Sequence, residues 1–249
     1  MNYSEISDVM QAKMNSIIDN GRFKIALYHA TSTAFLPSIL EHGLGGVNII
    51  KNYRALELFE ILINLIEKHL PDYGESYIGR MKVILRQEKG TQWRHGGAFL
   101  TPSMDRAVKY AVNSFGSELL GLIHGFHADV IKYIPNTECI LEDFKEIKQI
   151  FAIEHRPLLL VVDDVEIKNI QGEDGNDAEY SLLKLFAIMG NSDFSIESIN
   201  KAGQQTNFQL VEPKEIQIES CFEIIFQSRD KMFPIYELQD LNWPGSSVL

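Results

Sequence analysis

The hydrophobic positions of this chain fall into short apolar runs and longer stretches with helical spacing. Short apolar runs predict strands, and apolar residues that recur every three or four positions predict helices. The predicted strands are 24–28, 97–101, 126–132, 157–167, 207–211 and 221–227. The predicted helices are 4–19, 34–42, 52–69, 77–87, 103–115, 142–152, 178–188 and 195–201. Strands and helices are interleaved, yet several helices follow one another, which favours an α+β fold over a repeated βαβ unit.

No boundary between domains is visible in the pattern. The 249 residues contain no repeat, no low-complexity tract and no linker rich in Pro, Gly or Ser. We therefore interpret residues 1–249 as one domain. The two consecutive helices between residues 47 and 95 predict a helical insertion that packs beside the sheet. Residues 233–249 include Pro234 and Pro244 and predict a C-terminal tail laid on the surface.

Composition narrows the classes of partner. The net charge is −11 and the pI is about 5.1, which argues against a general electrostatic attraction to nucleic acid or to an anionic membrane. No basic start followed by an apolar block marks a signal peptide, and the longest apolar runs, such as 157–162, are too short to cross a bilayer. Cys139 and Cys221 form no disulfide framework. We expect a cytoplasmic protein in a reducing compartment.

Two segments carry candidate chemistry. In segment 27–46, a short apolar run leads to His29 and Thr31, and a helix then ends at a glycine-rich turn. In segment 96–111, the sequence Gly-Gly-Ala-Phe-Leu-Thr-Pro-Ser leads into a helix that contains Tyr110. Pro102 and Ser103 form a typical helix start.

The order and spacing of these two blocks resemble the ADP-ribosyltransferase superfamily. The resemblance is to the branch with a His–Tyr–Glu triad, which includes diphtheria-toxin-like enzymes and poly-ADP-ribose polymerases. A third segment, near 207–225, resembles the family more weakly. It implies an α+β fold with a split antiparallel sheet flanked by helices, in which 47–95 is an insertion without a counterpart in the family.

The resemblance also implies a site for NAD, which is the substrate of this family. His29 would bind a ribose hydroxyl, and Thr31 or the neighbouring backbone at Ala30 would hold the nicotinamide end. Tyr110 would stack its ring on the nicotinamide. Thr101 closes the strand beside them and would help to position the tyrosine helix.

The third residue departs from the family pattern. The family usually has a glutamate on a late strand, where its charge stabilises an oxocarbenium-like transition state. In 206–211 the alternation of the strand places Asn207 and Gln209 on one face, and we take Gln209 as the third site residue. An amide can bind a ribose hydroxyl but offers no negative charge. Glu212 and Glu219 are the alternatives if the register differs.

The resemblance favours a mono-ADP-ribosyltransferase that modifies a protein, in the manner of a bacterial toxin or effector. The acidic composition favours protein over nucleic acid as the acceptor. Three alternatives stay open: an inactive nucleotide-binding module of the same fold, an RNA 2′-phosphotransferase-like enzyme, and a helical interaction protein. The second of these needs arginines for a phosphate, and the candidates are Arg80, Arg86, Arg94 and Arg106.

Two further patterns are weaker. His124 and His127 are three residues apart, as zinc ligands on a helix can be, but Gly125 between them favours a junction between a loop and a strand. The acidic segment 173–177 does not match the ligand order of a calcium loop, and we interpret it as a solvated loop. No metal site is predicted.

Overall fold

Two antiparallel sheets that meet along one edge form the centre of the fold. The computed structural model of the chain describes residues 14–86, 97–112, 116–173, 175–189, 195–204, 206–211, 216–229 and 234–243. Helices lie on both sides of the sheets, and the prediction of an α+β fold is confirmed.

Strands and helices follow one another along the chain without a repeating order. The strands are β1 (Ile18–Asp19), β2 (Arg22–Phe23), β3 (Leu27–Ser32), β4 (Phe99–Leu100), β5 (Pro157–Val162), β6 (Ile170–Gly172), β7 (Phe208–Leu210), β8 (Ile218–Ser228) and β9 (Ile235–Asp240). The helices are α1 (Leu36–His42), α2 (Ile49–Asn52), α3 (Ala55–His69), α4 (Glu75–Leu85), α5 (Met104–Ala111), α6 (Glu118–Tyr133), α7 (Lys145–Ala152), α8 (Ala178–Met189) and α9 (Ile196–Gly203). None of the helices in these ranges is long and apolar enough to cross a membrane.

The strand order is not sequential. The four-stranded sheet has the order β3-β5-β8-β9, and the three-stranded sheet has the order β4-β7-β6. An antiparallel bridge between Tyr28 in β3 and Thr101 after β4 joins the two sheets. The Tyr28 N–H donates to the Thr101 carbonyl at 2.8 Å, and the Thr101 N–H donates to the Tyr28 carbonyl at 2.9 Å.

Strand β5 lies inside the four-stranded sheet and is apolar throughout, as expected for a strand that is covered on both faces. Leu158 and Leu160 face a core that includes Phe186 of α8. Leu159 faces the opposite side and packs in the cluster that includes Val108 of α5. Helix α5 is therefore fixed against the sheet by burial of its own apolar side.

The helical layer has a core of its own. Helices α2, α3 and α4, which come from segment 47–95, pack with α6 and α7 around a hydrophobic cluster distinct from those of the sheets. At its centre the rings of Phe59 and Phe126 lie 5.5 Å apart between centroids. This layer lies beside the sheets, and α6 connects it to the residues around α5.

Helix α6 replaces the strand predicted at 126–132, so that prediction is wrong. Ser117 begins the helix, since its hydroxyl accepts a hydrogen bond from the Leu120 N–H at 3.3 Å. The buried residues recur at helical spacing and are Leu119, Leu120, Ile123, Phe126 and Val130. Gly121 and Gly125 each cost about 1 kcal/mol of helix propensity relative to alanine. Burial of the apolar face against α3 outweighs this cost.

Other boundaries shift in ways that matter for the site. The strand predicted at 24–28 is β3, and its shift toward the C-terminus places His29 within the strand instead of after it. The helix predicted at 4–19 falls mainly outside the described residues, and 18–19 belong to β1. Residues 235–240, which were expected in a surface tail, form β9 and pair with β8 as an edge strand.

The helical core makes a stability prediction. Phe59 and Ile61 lie on the same helix, α3, but Phe59 is fully buried and Ile61 is 37% exposed. We expect Phe59→Ala to lower the free energy of unfolding by about 3–5 kcal/mol, because it removes apolar contacts and leaves a cavity. Ile61→Ala is the matched control and should cost less than about 1 kcal/mol. Urea denaturation of both variants measures the difference, and equal losses would contradict this description of the layer.

Candidate functional site

A cleft of about 540 Å³ opens where the two sheets meet. Its walls come from β3, α1 and the turn after it, the segment 97–101, α5, the start of α6, and the turns that follow β6 and α9. Its polar and charged lining includes His29, Arg106, Tyr110, Glu118, Glu173 and Asn207. Of the predicted site residues, His29, Ala30, Thr31, Thr101 and Tyr110 line this cleft together.

His29 lies in β3 opposite Leu160 of β5. Its Nδ1 is 2.8 Å from the carbonyl oxygen of Phe99 in β4. Because a carbonyl can only accept, Nδ1 carries the proton in this bond. Burial lowers the pKa of His29 below its usual value, and the bond to Phe99 opposes that effect only in part. The ring is therefore neutral at pH 7, and Nε2 is its hydrogen-bond acceptor.

Tyr110 lies near the end of α5. Its hydroxyl oxygen accepts a hydrogen bond from the backbone N–H of Glu118 at 3.3 Å. Burial raises the pKa of the phenol, and the nearby Glu118 carboxylate raises it further, so the tyrosine is neutral. Even so, 37% of the residue is exposed. The hydroxyl end is thus fixed while part of the ring is accessible in the cleft.

The hydroxyl of Thr101 makes hydrogen bonds to other groups of the protein. It donates to the Thr206 carbonyl at 3.1 Å and accepts from the Ser103 N–H at 3.2 Å. These bonds tie the start of α5 to the turn before β7. Thr31 is buried in the wall of the cleft, and Ala30 packs in the cluster of α5.

The structure separates Gln209 from the other predicted residues. Gln209 lies in β7, and its side-chain oxygen accepts a hydrogen bond from Gln171 at 3.1 Å. It also lies under Gly97, where an added Cβ would come within 2.5 Å of the Gln209 amide nitrogen. Of the alternatives, Asn207 lines the cleft, Glu219 lies on β8 outside it, and Glu212 falls outside the described residues.

Glu173 is the residue that sequence reasoning missed. It was placed in a solvated loop, but it directly follows β6 and lines the cleft. Its carboxylate accepts a hydrogen bond from the Asn207 amide at 2.8 Å, and its N–H donates to the Asn207 carbonyl at 3.2 Å. The antiparallel register pairs Gly172 with Phe208 and so brings the next residues on each side together. No feature of the sequence near either residue reveals this contact.

Glu118 is a second carboxylate in the same cleft and lies in the first turn of α6. Glu118 is exposed to solvent. Partial burial of the carboxyl raises its pKa, the charge of Glu173 raises it further, and Arg106 lowers it. The two carboxylates line the same cleft.

Positive charge is present beside these carboxylates. Arg106 and Lys109, both on α5, line the cleft, and the Arg106 guanidinium also donates to the Gln204 carbonyl. Of the other arginines considered for phosphate binding, Arg80 and Arg86 lie in or directly after α4, away from this lining, and Arg94 falls outside the described residues. The cleft thus combines both signs of charge with an accessible aromatic ring.

The two histidines of α6 belong to the helical layer instead of the cleft. Their rings lie against Phe151, with centroids 4.9 Å away for His124 and 6.2 Å away for His127. Within the described ranges, no group of three or more His, Cys, Asp or Glu residues is arranged to hold a metal ion.

The chain matches no protein-family model, no curated protein and no solved structure.

Proposed function

We propose that this protein is an NAD-dependent mono-ADP-ribosyltransferase. The observation that carries the proposal is that His29, Tyr110 and Glu173 line one cleft, at the junction of two antiparallel sheets. A split antiparallel sheet is what the family resemblance implies. The cleft supplies an imidazole acceptor, an aromatic face and a carboxylate, which are the three kinds of group that this reaction needs.

His29 and Tyr110 would bind NAD through different contacts. The neutral imidazole offers Nε2 as an acceptor for a ribose hydroxyl, and its bond to Phe99 fixes the orientation of the ring. The Tyr110 ring would stack on the nicotinamide, while its hydroxyl is held at the start of α6. Both side chains are held before the ligand arrives, so little conformational entropy is lost on binding.

Glu173 would supply the carboxylate that the family usually has on a late strand. Breaking the bond between nicotinamide and ribose develops positive charge on the ribose, and a fixed negative charge nearby stabilises it. Asn207, directly before β7, holds the Glu173 carboxylate at 2.8 Å. The amide therefore orients the charge instead of supplying it.

The acceptor proposed is a protein, since a net charge of −11 disfavours nucleic acid. Modification of another protein by this chemistry would suit a toxin or effector. The alternative is a nucleotide-binding module without transferase activity, and it is favoured by the absence of a carboxylate at Asn207 and Gln209. The predictions below separate the two.

NAD binding should depend on the ring of Tyr110 and on the acceptor of His29. We expect NAD to raise the melting temperature of the wild type. Tyr110→Ala should weaken NAD binding about tenfold or more, since stacking on an aromatic ring contributes about 1–3 kcal/mol per base, whereas Tyr110→Phe should retain most of the affinity. Tyr133→Ala, at an exposed position of α6, is the control. Equal NAD binding by all four proteins, measured by calorimetry, would refute this site.

Glu173 should be required for cleavage but not for binding. We expect Glu173→Gln to lower the rate of nicotinamide release by about 100-fold, because the amide cannot stabilise positive charge, while NAD affinity changes little. Glu179→Gln, at an exposed position of α8, is the matched control. Nicotinamide release followed by chromatography measures the rate. A wild type that binds NAD but releases no nicotinamide would favour the binding module.

The buried imidazole predicts a pH dependence. Because the pKa of His29 is lowered on folding, the folded state binds fewer protons than the unfolded state as the pH falls below about 6.5. The contribution of His29 to the free energy of unfolding is therefore present above that pH and is lost on acidification. His29→Asn keeps a donor toward the Phe99 carbonyl but does not titrate.

Melting temperatures from pH 8 to pH 5 test this expectation. The wild type should lose more stability than His29→Asn over the acidic part of the range, and NAD-induced stabilisation should fall with it, since a protonated ring has no acceptor. Parallel curves for the two proteins would show that His29 is not the neutral acceptor inferred from its contact with Phe99.

A further inference from the structure

The cleft holds a second carboxylate that the binding and cleavage of NAD leave without a role. Glu118 lies in the first turn of α6, and its backbone N–H is the donor that holds the Tyr110 hydroxyl at 3.3 Å. Glu118 is exposed, whereas Glu173 is half-buried. Glu118 thus lies beside the ring expected to bind nicotinamide and is accessible to a second substrate.

The two carboxylates are held differently. Glu173 makes two hydrogen bonds with Asn207, one through its side chain and one through its backbone. In the part of the chain that the structure describes, no side-chain donor is bonded to the Glu118 carboxylate. Burial and the charge of Glu173 raise the pKa of Glu118, which makes it a stronger base than an isolated glutamate. Two carboxylates in unequal environments commonly divide the work of one reaction.

We infer that Glu118 is the general base that removes the proton from the acceptor, and that the reacting group of the acceptor is a hydroxyl. This inference rests on the proposed function. In the step, the bond between ribose C1′ and the nicotinamide nitrogen breaks, and nicotinamide leaves with the electron pair. The hydroxyl oxygen forms the new bond to C1′, and its proton passes to the Glu118 carboxylate.

The charges of the cleft favour a neutral acceptor group. A carboxylate would be repelled by Glu118 and Glu173, and it carries no proton for a base to remove at neutral pH. A guanidinium or ammonium group would be attracted by these two carboxylates but repelled by Arg106 and Lys109, which line the same cleft. A hydroxyl meets neither repulsion, and it needs a base because it is a weak nucleophile when protonated.

The experiment compares two reactions of the same proteins. Wild type, Glu118→Gln, Glu173→Gln and Glu179→Gln are incubated with labelled NAD, first in buffer to follow nicotinamide release to water, and then with a cell lysate to follow transfer. Bulk water needs no positioned base, because it passes its proton to other water molecules. We expect Glu118→Gln to lower the ratio of transfer to nicotinamide release by about 100-fold. Glu173→Gln should lose both.

Two further readouts test the assignment of the base and of the hydroxyl. Transfer by the wild type should fall as the pH drops through the raised pKa of Glu118, and this acidic limb should be absent in Glu118→Gln. The linkage should survive neutral hydroxylamine, as an O-glycoside does and an ester does not. Digestion of the labelled product with protease or with ribonuclease tells a protein hydroxyl from an RNA hydroxyl.

The outcomes are distinct. Transfer by Glu118→Gln at the wild-type rate, an equal loss of both reactions, or a linkage cleaved by hydroxylamine would overturn the inference and leave the proposed function standing. A wild type that neither releases nicotinamide nor transfers label would overturn the proposed function, and the inference with it. Glu118 is exposed, and equal melting temperatures of the variants and the wild type would exclude unfolding as the cause of a loss.

Discussion

Two backbone hydrogen bonds between Tyr28 and Thr101 join sheets whose strands otherwise pair only within their own ladders. The bridge fixes two features of the cleft together. On one strand, His29 follows Tyr28 directly, and on the other, helix α5 begins shortly after Thr101. The carbonyl that holds the imidazole belongs to Phe99 of the same second strand. The imidazole and the tyrosine helix are therefore positioned by one contact between the sheets.

Main-chain groups hold several side chains of the cleft. The Phe99 carbonyl orients His29, and the Glu118 N–H orients Tyr110. Backbone groups move less than side chains, and a site built on them is preorganised for its ligand. Glu173 is held by Asn207, which lies directly before the neighbouring strand β7, so its position depends on the pairing of β6 with β7.

The sequence predicted those parts of the structure that local patterns determine. Most helices and strands follow from apolar spacing, and the resemblance carried by two short motifs implied that His29 and Tyr110 lie near each other. It did not predict helix α6, because Gly121 and Gly125 resemble breaks until the packing of the opposite face against α3 is known. It also missed the contact between Glu173 and Asn207, because local pattern does not show which residues are opposed across β6 and β7.

The hydrogen bond between Glu173 and Asn207 joins residues that are 34 positions apart in the sequence. Exchanging the two residues would preserve the chemical groups that they place in the cleft. A chain with glutamate at 207 and asparagine at 173 would keep one carboxylate and one amide at the same place in the cleft. The negative charge would stay at one place although a different segment of the chain supplied it, because the two side chains meet there. The charge of the cleft is thus a property of this pair of positions and not of either residue alone.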